Sequence, residues 1–403
     1  METKNRREFL KKSFIGISGA ALLPSSINID TGAEGIQTAL PELSSRLLGK
    51  TGIRTPLISM GTSGVTSPGF VRAAYEAGIK LFFSATYYGE GNNEILVGEA
   101  LKGLPRDSFV VGTASAPDGL DTRSGTLSGN FSAQAYMKKA EESLKRFGLD
   151  QIDILLFPYA AKKETVLHEG ILKTMEQVKK QGKARFTGIA SHGDTVEALN
   201  AAAGSGVYDV AMISYNYKIQ DLESLNESIA NAANKGMGII AMKTTAGGGR
   251  DKSGSSPDIS TALKWALQNE KVSTIVSGMT SLDELQKNLA MIRDLKMSEQ
   301  EMKDLKMASI GSETGLYCQQ CRQCIPQCPH SLDIPAIMRS YMYSYGYRNM
   351  EQAWFTLAEA GLSANLCDIC ETCSVKCPSG FNVKKKIADI SRLRDVPKDF
   401  LLA

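Results

Sequence analysis

The sequence predicts an α/β protein in which a (β/α)8 barrel is followed by a small cysteine-rich module. Between Arg46 and Ile310, short runs rich in β-branched residues alternate with longer helical patterns. Eight such strand–helix units occupy that stretch, and roughly 250 residues is the usual size of an eight-stranded barrel. All eight cysteines of the 403-residue chain lie after it, between Cys318 and Cys377.

The alternating segments set the expected barrel elements in order. The predicted strands are residues 57–63, 80–85, 109–114, 152–157, 184–190, 207–214, 236–242 and 272–277. The predicted helices are residues 70–77, 94–101, 133–147, 164–181, 195–203, 221–235, 259–269 and 281–295. A doubly wound sheet is the alternative, but it usually carries a glycine-rich fingerprint after its first strand. The turn at residues 60–64 lacks that glycine spacing, so the barrel is favoured.

Composition is ordinary for a soluble globular protein, with 42% hydrophobic and 22% charged residues. A net charge of +3 without a long basic stripe gives no support for nucleic-acid binding. No run of 18 or more apolar residues occurs in the sequence, so we expect no stable membrane span.

The N-terminus resembles a twin-arginine export signal. Arg6 and Arg7 precede Phe9-Leu10-Lys11, and a weakly apolar segment follows. That resemblance implies a periplasmic or otherwise exported protein that folds around its cofactor before it crosses the membrane. A basic amphipathic chain end is the alternative. Residues 1–43 are therefore assigned to the signal and a flexible linker, residues 44–310 to the barrel and residues 311–403 to the module.

Several motifs of the predicted barrel resemble the aldo/keto reductase family, and in particular its ferredoxin-tailed branch. The similarity is carried by residues 46–53 and 58–62 at the start, residues 77–79 and 87–101 in the second unit, and residues 188–191, 215–216, 241–243 and 276–279 further on. It implies an oxidoreductase with a small-molecule substrate at the mouth of the barrel.

The catalytic tetrad of that family matches this chain at one position only. The family's tyrosine falls on Tyr88, whereas its aspartate, lysine and histidine fall on Phe83, Ala114 and Pro158. A phenol with a pKa near 10 needs charged neighbours to act as an acid close to neutral pH. Tyr88 is therefore a catalytic candidate or a packing residue. His192, after the fifth strand, is a second catalytic candidate, with a structural role as its alternative.

The resemblance also implies a place for a nicotinamide cofactor. Ser277 and Gly278 lead into a helix that contains Asn288, where the family holds the phosphate and adenosine end of NADP(H). A turn before a helix presents free N–H groups to an anion. Other positions that the family uses are occupied here by Ser191, His192 and Met212. NADP(H) is thus left open rather than expected.

The cysteines form two runs of the type C-x2-C-x2-C-x3-C-P, the pattern of bacterial two-cluster ferredoxins. The first run is Cys318, Cys321, Cys324 and Cys328, and the second is Cys367, Cys370, Cys373 and Cys377. The fourth cysteine of each run is expected to bind the other cluster, so that two [4Fe–4S] clusters are held in a crossed manner. Zinc and disulfides are the alternatives, but neither accounts for the third cysteine and the proline.

The remaining segments of the module are predicted to be helical, at residues 334–347, 350–360 and 384–394, the last lying back on the barrel. The sequence thus predicts a (β/α)8 TIM barrel with a helical ferredoxin-like module, which exchanges electrons between its clusters and a small organic molecule or a redox protein partner. An electron carrier and a ligand sensor with an inactive barrel are the alternatives. An open polar mouth beside Tyr88 favours the enzyme, whereas a mouth filled by Phe83, Phe157 and Met212 favours the carrier.

Overall fold

The structure is a computed structural model that describes residues 43–129, 131–248, 257–310, 315–362 and 366–401. Arg6, Arg7 and the linker lie outside these residues. Within the described chain, no helix is long and apolar enough to cross a membrane. The described residues belong to one compact unit, so barrel and module can be described together.

Eight parallel strands close into the predicted barrel. In chain order these are β3 (Ile58–Gly61), β4 (Leu81–Ala85), β5 (Val110–Ala114), β8 (Ile152–Phe157), β9 (Ala184–Ser191), β10 (Val210–Ser214), β11 (Gly238–Met242) and β12 (Val272–Gly278). Each predicted strand coincides with one of them, and β12 pairs with β3 to close the ring.

Two short hairpins accompany the barrel. The first, β1 (Ser45–Leu47) with β2 (Arg54–Pro56), places Leu48 in the barrel interior beside Gly238 and so closes the amino-terminal end. The second, β6 (Leu120–Asp121) with β7 (Thr126–Leu127), lies in the connection that follows β5 at the opposite end.

Helices surround the barrel and extend into the module. The barrel helices are α1 (Pro68–Glu76), α2 (Asn92–Leu101), α3 (Ala133–Phe147), α4 (Lys163–Val166), α5 (Glu169–Lys180), α6 (Thr195–Ser205), α7 (Leu222–Asn234), α8 (Ile259–Gln268), α9 (Leu282–Met291) and α10 (Glu299–Ala308). Those of the module are α11 (Ile334–Tyr341), α12 (Met350–Glu359) and α13 (Val383–Ser391).

The helices differ from the prediction in three respects. The single helix expected at residues 164–181 is divided into α4 and α5, because His168 has a non-helical backbone with a φ of −59° and a ψ of 121°. Its ring packs against that of Phe131, with 5.2 Å between the ring centres. Helix α10 was not predicted, although Ser298 and Glu301 form the capping box that starts it. The C-terminal helix α13 does not lie back on the barrel, since its Ile387 and Ile390 are buried in the core of the module.

The module is seated on the carboxyl-terminal end of the barrel, where active sites of this architecture lie. Gly193 follows β9, and a Cβ placed there would be only 2.4 Å from the Cβ of Gln320 in the module. Gly247 follows β11 with a φ of 80°, and its Cβ would lie 2.9 Å from Met342. Met342 belongs to a π-helical turn, Met342–Gly346, that continues α11. Because Gly193 and Gly247 have no side chains, the module can pack directly against the backbone of the barrel at these two positions.

Candidate active site between the barrel and the cysteine module

The eight cysteines line two separate cavities, and each cavity takes one cysteine from the other run. One is lined by Cys318, Cys321, Cys324 and Cys377. The other is lined by Cys328, Cys367, Cys370 and Cys373. No disulfide joins any of these eight cysteines. This crossed arrangement of four thiols around each cavity is the one expected from the order of the two runs.

The donor set of each cavity, four cysteine sulfurs, is the set that would hold a [4Fe–4S] cluster. Burial, followed by the neighbouring thiols Cys324, Cys377 and Cys321, raises the pKa of Cys318 to about 12. The pKa of Cys324 is raised to about 12 by burial and then by Cys321. Cysteines such as these lose their protons when they ligate a metal, because the metal's positive charge stabilises the thiolates. Among the described residues, no group of three or more His, Cys, Asp or Glu side chains is arranged to hold a single metal ion.

The mouth of the barrel contains a chain of aromatic rings that includes Tyr88. Its ring meets Tyr87 edge-on at 5.2 Å, Tyr87 lies 5.7 Å from Tyr159, and Tyr159 lies 6.0 Å from His192. Burial raises the pKa of Tyr88 well above its ordinary value, and Tyr343 of the module adds to the effect. The Tyr88 phenol is consequently neutral near pH 7 and is a hydrogen-bond donor rather than a ready acid.

His192 lies where the barrel meets the first cysteine cavity. A small cavity is lined by His192, Ser214 and Lys243 of the barrel and by Tyr317, Cys318, Gln320, Arg339 and Met342 of the module. Its volume of about 10 Å³ has room for about one water molecule. Burial, and then the charges of Lys243 and Arg339, hold the pKa of His192 well below its usual range. The imidazole is therefore neutral near pH 7.

Arg339, which is buried, and Lys243, which is half-buried, face this cavity, and neither has a carboxylate at ion-pair distance among the described residues. Lys243 donates to the hydroxyl of Tyr343 at 2.9 Å. Arg339 is 8% exposed, donates to Gln320 Oε1 at 3.2 Å and lies 5.6 Å from the centre of the Tyr159 ring. An unpaired buried charge is unfavourable, so this pair is suited to hold an oxygen that carries or develops negative charge.

Backbone strain is concentrated at the same place. Tyr159 follows β8 with a φ of 56°, and Lys243 follows β11 with a φ of 55°. Left-handed backbone is uncommon for residues other than glycine, and such strain gathers at functional sites. Neither residue was among the predicted site residues. Lys243 could have been found, because a charged residue directly after a barrel strand is placed at the mouth. Arg339 and Tyr343 could not, because only the docking of the module brings them there.

The positions that replace the reductase tetrad are apolar and buried. Phe83 and Ala114 belong to the cluster that fills the barrel interior, together with Met212. Phe157 belongs instead to the layer between strands and helices, so of the three residues whose presence in the mouth would favour an electron carrier, only Phe83 and Met212 lie inside the barrel. Successive side chains of a strand point to opposite faces. Leu156 faces the barrel interior, so its neighbour Phe157 faces the surrounding helices. The mouth is thus apolar on the side of the barrel interior and polar on the side that the module covers.

The predicted nicotinamide residues lie together at the end of β12. Asn288 is 4% exposed and its amide donates to Ser277 Oγ at 3.3 Å, while Gly278 is exposed. At the start of α9, the carboxylate of Glu284 already accepts the N–H of Thr280 at 2.8 Å. Asn349 of the module lies against Ser63 and Gly64 next to this turn. An acidic side chain and the module therefore occupy the surroundings of the expected phosphate position.

Comparison with known protein families agrees with this two-part organisation. Residues 63–261 match the sequence model described as Aldo/keto reductase family. Residues 317–382, which contain all eight cysteines, match that described as 4Fe-4S dicluster domain. The chain thus combines a closed (β/α)8 barrel, part of which matches an aldo/keto reductase model, with a region that matches a 4Fe-4S dicluster domain, and the predicted fold class is confirmed.

The chain is also similar to individual enzymes and structures. It is 25% identical over 300 residues to L-galactose dehydrogenase of Arabidopsis thaliana, covering 64% of this chain and 90% of that protein. It is 29% identical over 175 residues to NADH-specific methylglyoxal reductase of Escherichia coli (strain K12), covering 41% and 52%. These relatives support the prediction of an oxidoreductase.

Among solved structures, an aldo-keto reductase from Bacillus halodurans in its holo form has a TM-score of 0.55 at 18% identity, covering 66% of this chain and 96% of that one. An aldo-keto reductase from Klebsiella pneumoniae in complex with NADPH has a TM-score of 0.51 at 19% identity, with the same coverage of both chains. At this identity the similarity establishes the fold of the barrel.

Proposed function

We propose that this protein is an exported iron–sulfur oxidoreductase that passes electrons between two [4Fe–4S] clusters and a small organic molecule at the mouth of the barrel. One observation carries the proposal: Cys318, a predicted cluster ligand, lines the same cavity as His192 and Lys243. A bound cluster and a molecule in that cavity would be immediate neighbours. A small carbonyl compound or sugar is the substrate class that the aldo/keto reductase relatives suggest.

The residues around the cavity have distinct roles in this proposal. Reduction of a carbonyl group takes up two electrons and two protons, and the clusters, when bound, supply electrons one at a time. Lys243 and Arg339 stabilise the negative charge that develops on the carbonyl oxygen. Neutral His192 offers one donor and one acceptor for moving a proton. Tyr88 orients the substrate from the wall of the mouth, because Phe83, Ala114 and Pro158 provide no charge that would tune it as an acid.

Electrons enter through the clusters rather than from NADP(H) in this proposal. Two features support this choice: the carboxylate of Glu284 beside Thr280, and the position of Asn349 against Gly64. An anion at the start of α9 repels a phosphate group from the N–H groups that would bind it. The redox partner would then be another electron-transfer protein outside the cytoplasm.

Substrate entry in this proposal requires the module to move away from the mouth. The cavity beside His192 holds about one water molecule in the docked form. A carbonyl compound with several carbon atoms cannot enter it without a displacement of Arg339 and Met342. Closure of the module over the substrate would exclude water from the reaction.

An electron carrier with an inactive barrel is the second candidate. The apolar interior supports it, because Phe83 is 4% exposed and Met212 is 7% exposed below the mouth. In that case the barrel would only carry the module, and the interface cavity would hold water.

The two candidates are separated by anaerobic reduction and reoxidation. We expect about eight irons per chain; two zinc ions instead would exclude both. After reduction with dithionite, small aldehydes and hydroxyketones should restore the cluster absorbance of an oxidoreductase.

Lys243→Met should slow this reoxidation about a hundredfold, whereas Lys235→Met, on the exposed end of α7, should not. Stable reduced clusters with every compound would favour the carrier, and rapid reduction by NADPH would overturn the proposed route of electron entry.

A further inference from the structure

One lysine of the module is buried next to the first cysteine cavity. Lys386, on α13, is 3% exposed. Its ammonium group donates to the carbonyl of Gly315 at 2.8 Å and lies 4.2 Å from the centre of the Tyr341 ring and 4.7 Å from that of Phe381. Phe381 also lines the cavity of Cys318, Cys321, Cys324 and Cys377. A fixed positive charge therefore lies one side chain away from this cavity.

The charge of Lys386 is not balanced by a carboxylate within 4 Å in the described part of the chain. Asp389, one turn further along the helix, bonds to the exposed Lys385 at 2.9 Å. Burial lowers the pKa of Lys386 to about 8, although Asp389 and Cys377 act in the opposite direction. A buried cation without a paired anion is costly. An anionic cluster held by Cys377 and its three partners would supply the missing negative charge.

The second cysteine cavity has a differently placed lysine on the same helix. Lys384 lines the cavity of Cys328, Cys367, Cys370 and Cys373. It is partly exposed and its ammonium group bonds to the carbonyls of Cys370, at 2.7 Å, and Glu371, at 3.4 Å. Solvent and salt screen an exposed charge, whereas a charge between two aromatic rings is screened much less. The lysines beside the two cavities thus differ in how strongly their charges are screened.

We propose that Lys386 raises the reduction potential of the cluster bound by Cys318, Cys321, Cys324 and Cys377 above that of the other cluster, so that the first electron taken up rests beside the barrel. Reduction adds one negative charge to a cluster and breaks no bond, and a nearby cation stabilises that added charge. The electron comes from the external redox protein. This inference depends on the clusters of the proposed function but not on its substrate.

An anaerobic redox titration followed by electron paramagnetic resonance tests this role. We expect two separate midpoint potentials in the unmodified protein. Lys386→Met should lower the higher midpoint potential and so reduce the gap, which is the difference between the two potentials. Lys386→Arg keeps the charge and should keep the gap of the unmodified protein. Lys384→Met should lower the other potential and widen the gap. Lys385→Met, exposed on the same helix, should change neither.

Iron content measured on each variant separates a shifted potential from a lost cluster. If Lys386→Met loses iron, Lys386→Gln provides a second neutral variant with a polar end. An unchanged gap in a neutral variant with full iron content would overturn the inference. Failure of carbonyl compounds to reoxidise the clusters would instead contradict the proposed function and leave the gap measurement intact.

Discussion

His192 illustrates how a candidate residue acquires its properties from tertiary contacts. The sequence placed it after the fifth strand, at the mouth of the barrel, but gave no information on its charge state. In the structure it faces Lys243 of the barrel and Arg339 of the module. Burial together with these two cations keeps its pKa well below the usual value of about 6.5. The pKa of His192 therefore depends on the docking of the module.

We predict that His192 makes the protein less stable in mild acid. The unfolded chain binds a proton at His192 below about pH 6.5 and the folded chain does not, so the free energy of unfolding falls as pH drops through that value. His192→Gln should flatten this dependence between about pH 7.5 and 5.5, measured by urea unfolding. His168→Gln, which removes a histidine that packs against Phe131, should retain it. Equal slopes for His192→Gln and the unmodified protein would contradict the expected charge state.

The pair Glu94 and Arg146 shows that a motif shared with a family need not be catalytic. Glu94 lies in the segment that resembles aldo/keto reductases, yet it is fully buried and bonds to Arg146 and Thr113, each at 2.5 Å. It joins α2 to α3 and β5. Its side chain therefore stabilises the barrel wall rather than the mouth.

At the scale of elements, the barrel and the module are fitted to each other at glycines. Gly193 and Gly247 follow two strands of the barrel and leave space for Gln320 and Met342. Asp194, next to Gly193, pairs with Arg322 of the module. The turn that carries His192 is thereby held by two contacts with the module, one at Gly193 and one at Asp194.

We predict that Gly193→Ala weakens the docking of the module. Its Cβ would be 2.4 Å from Gln320 Cβ and 3.0 Å from the Gln320 carbonyl oxygen, so the two segments must move apart at a cost of about 1–3 kcal/mol. Urea unfolding and limited proteolysis of the module would measure the loss.

Gly204→Ala is the matched control, because it lies in α6 with no atom within 4 Å of its added Cβ. It should leave stability unchanged or raise it slightly through better helix propensity. Equal stability of the two alanine variants would show that close packing at Gly193 is not needed for the module to dock.

At the scale of the whole molecule, export and cluster loading are linked in the proposed function. In that proposal, a cluster bound between two cysteine runs would form only when the module folds around it, so the chain would have to fold before export. The paired arginines Arg6 and Arg7 offer a route for folded proteins.

We predict that Arg6→Lys combined with Arg7→Lys keeps the protein in the cytoplasm, since charge is preserved but the arginine pair is lost. Lys11→Arg with Lys12→Arg changes the same segment to the same extent and should allow export. Cell fractionation followed by immunoblotting would measure both variants. Export of the Arg6 and Arg7 variant at the normal level would remove the basis for the proposed localisation.

The sequence by itself determined the eight barrel strands and their order, because both depend on local patterns. Alternating runs fixed the eight strands, and the spacing of cysteines such as Cys318 and Cys321 predicted an iron–sulfur module. It also placed Tyr88 and His192 at one end of the barrel, since the carboxyl ends of parallel strands meet there.

Tertiary structure alone decided what surrounds those residues. Lys243 and Arg339 are 96 positions apart in the sequence, and no local pattern relates them until the module docks on the barrel. The burial of Lys386 between Tyr341 and Phe381 likewise depends on how α11 and α13 pack. Charge states and strain arise from such contacts, because burial and the distance to other charges are properties of the folded chain.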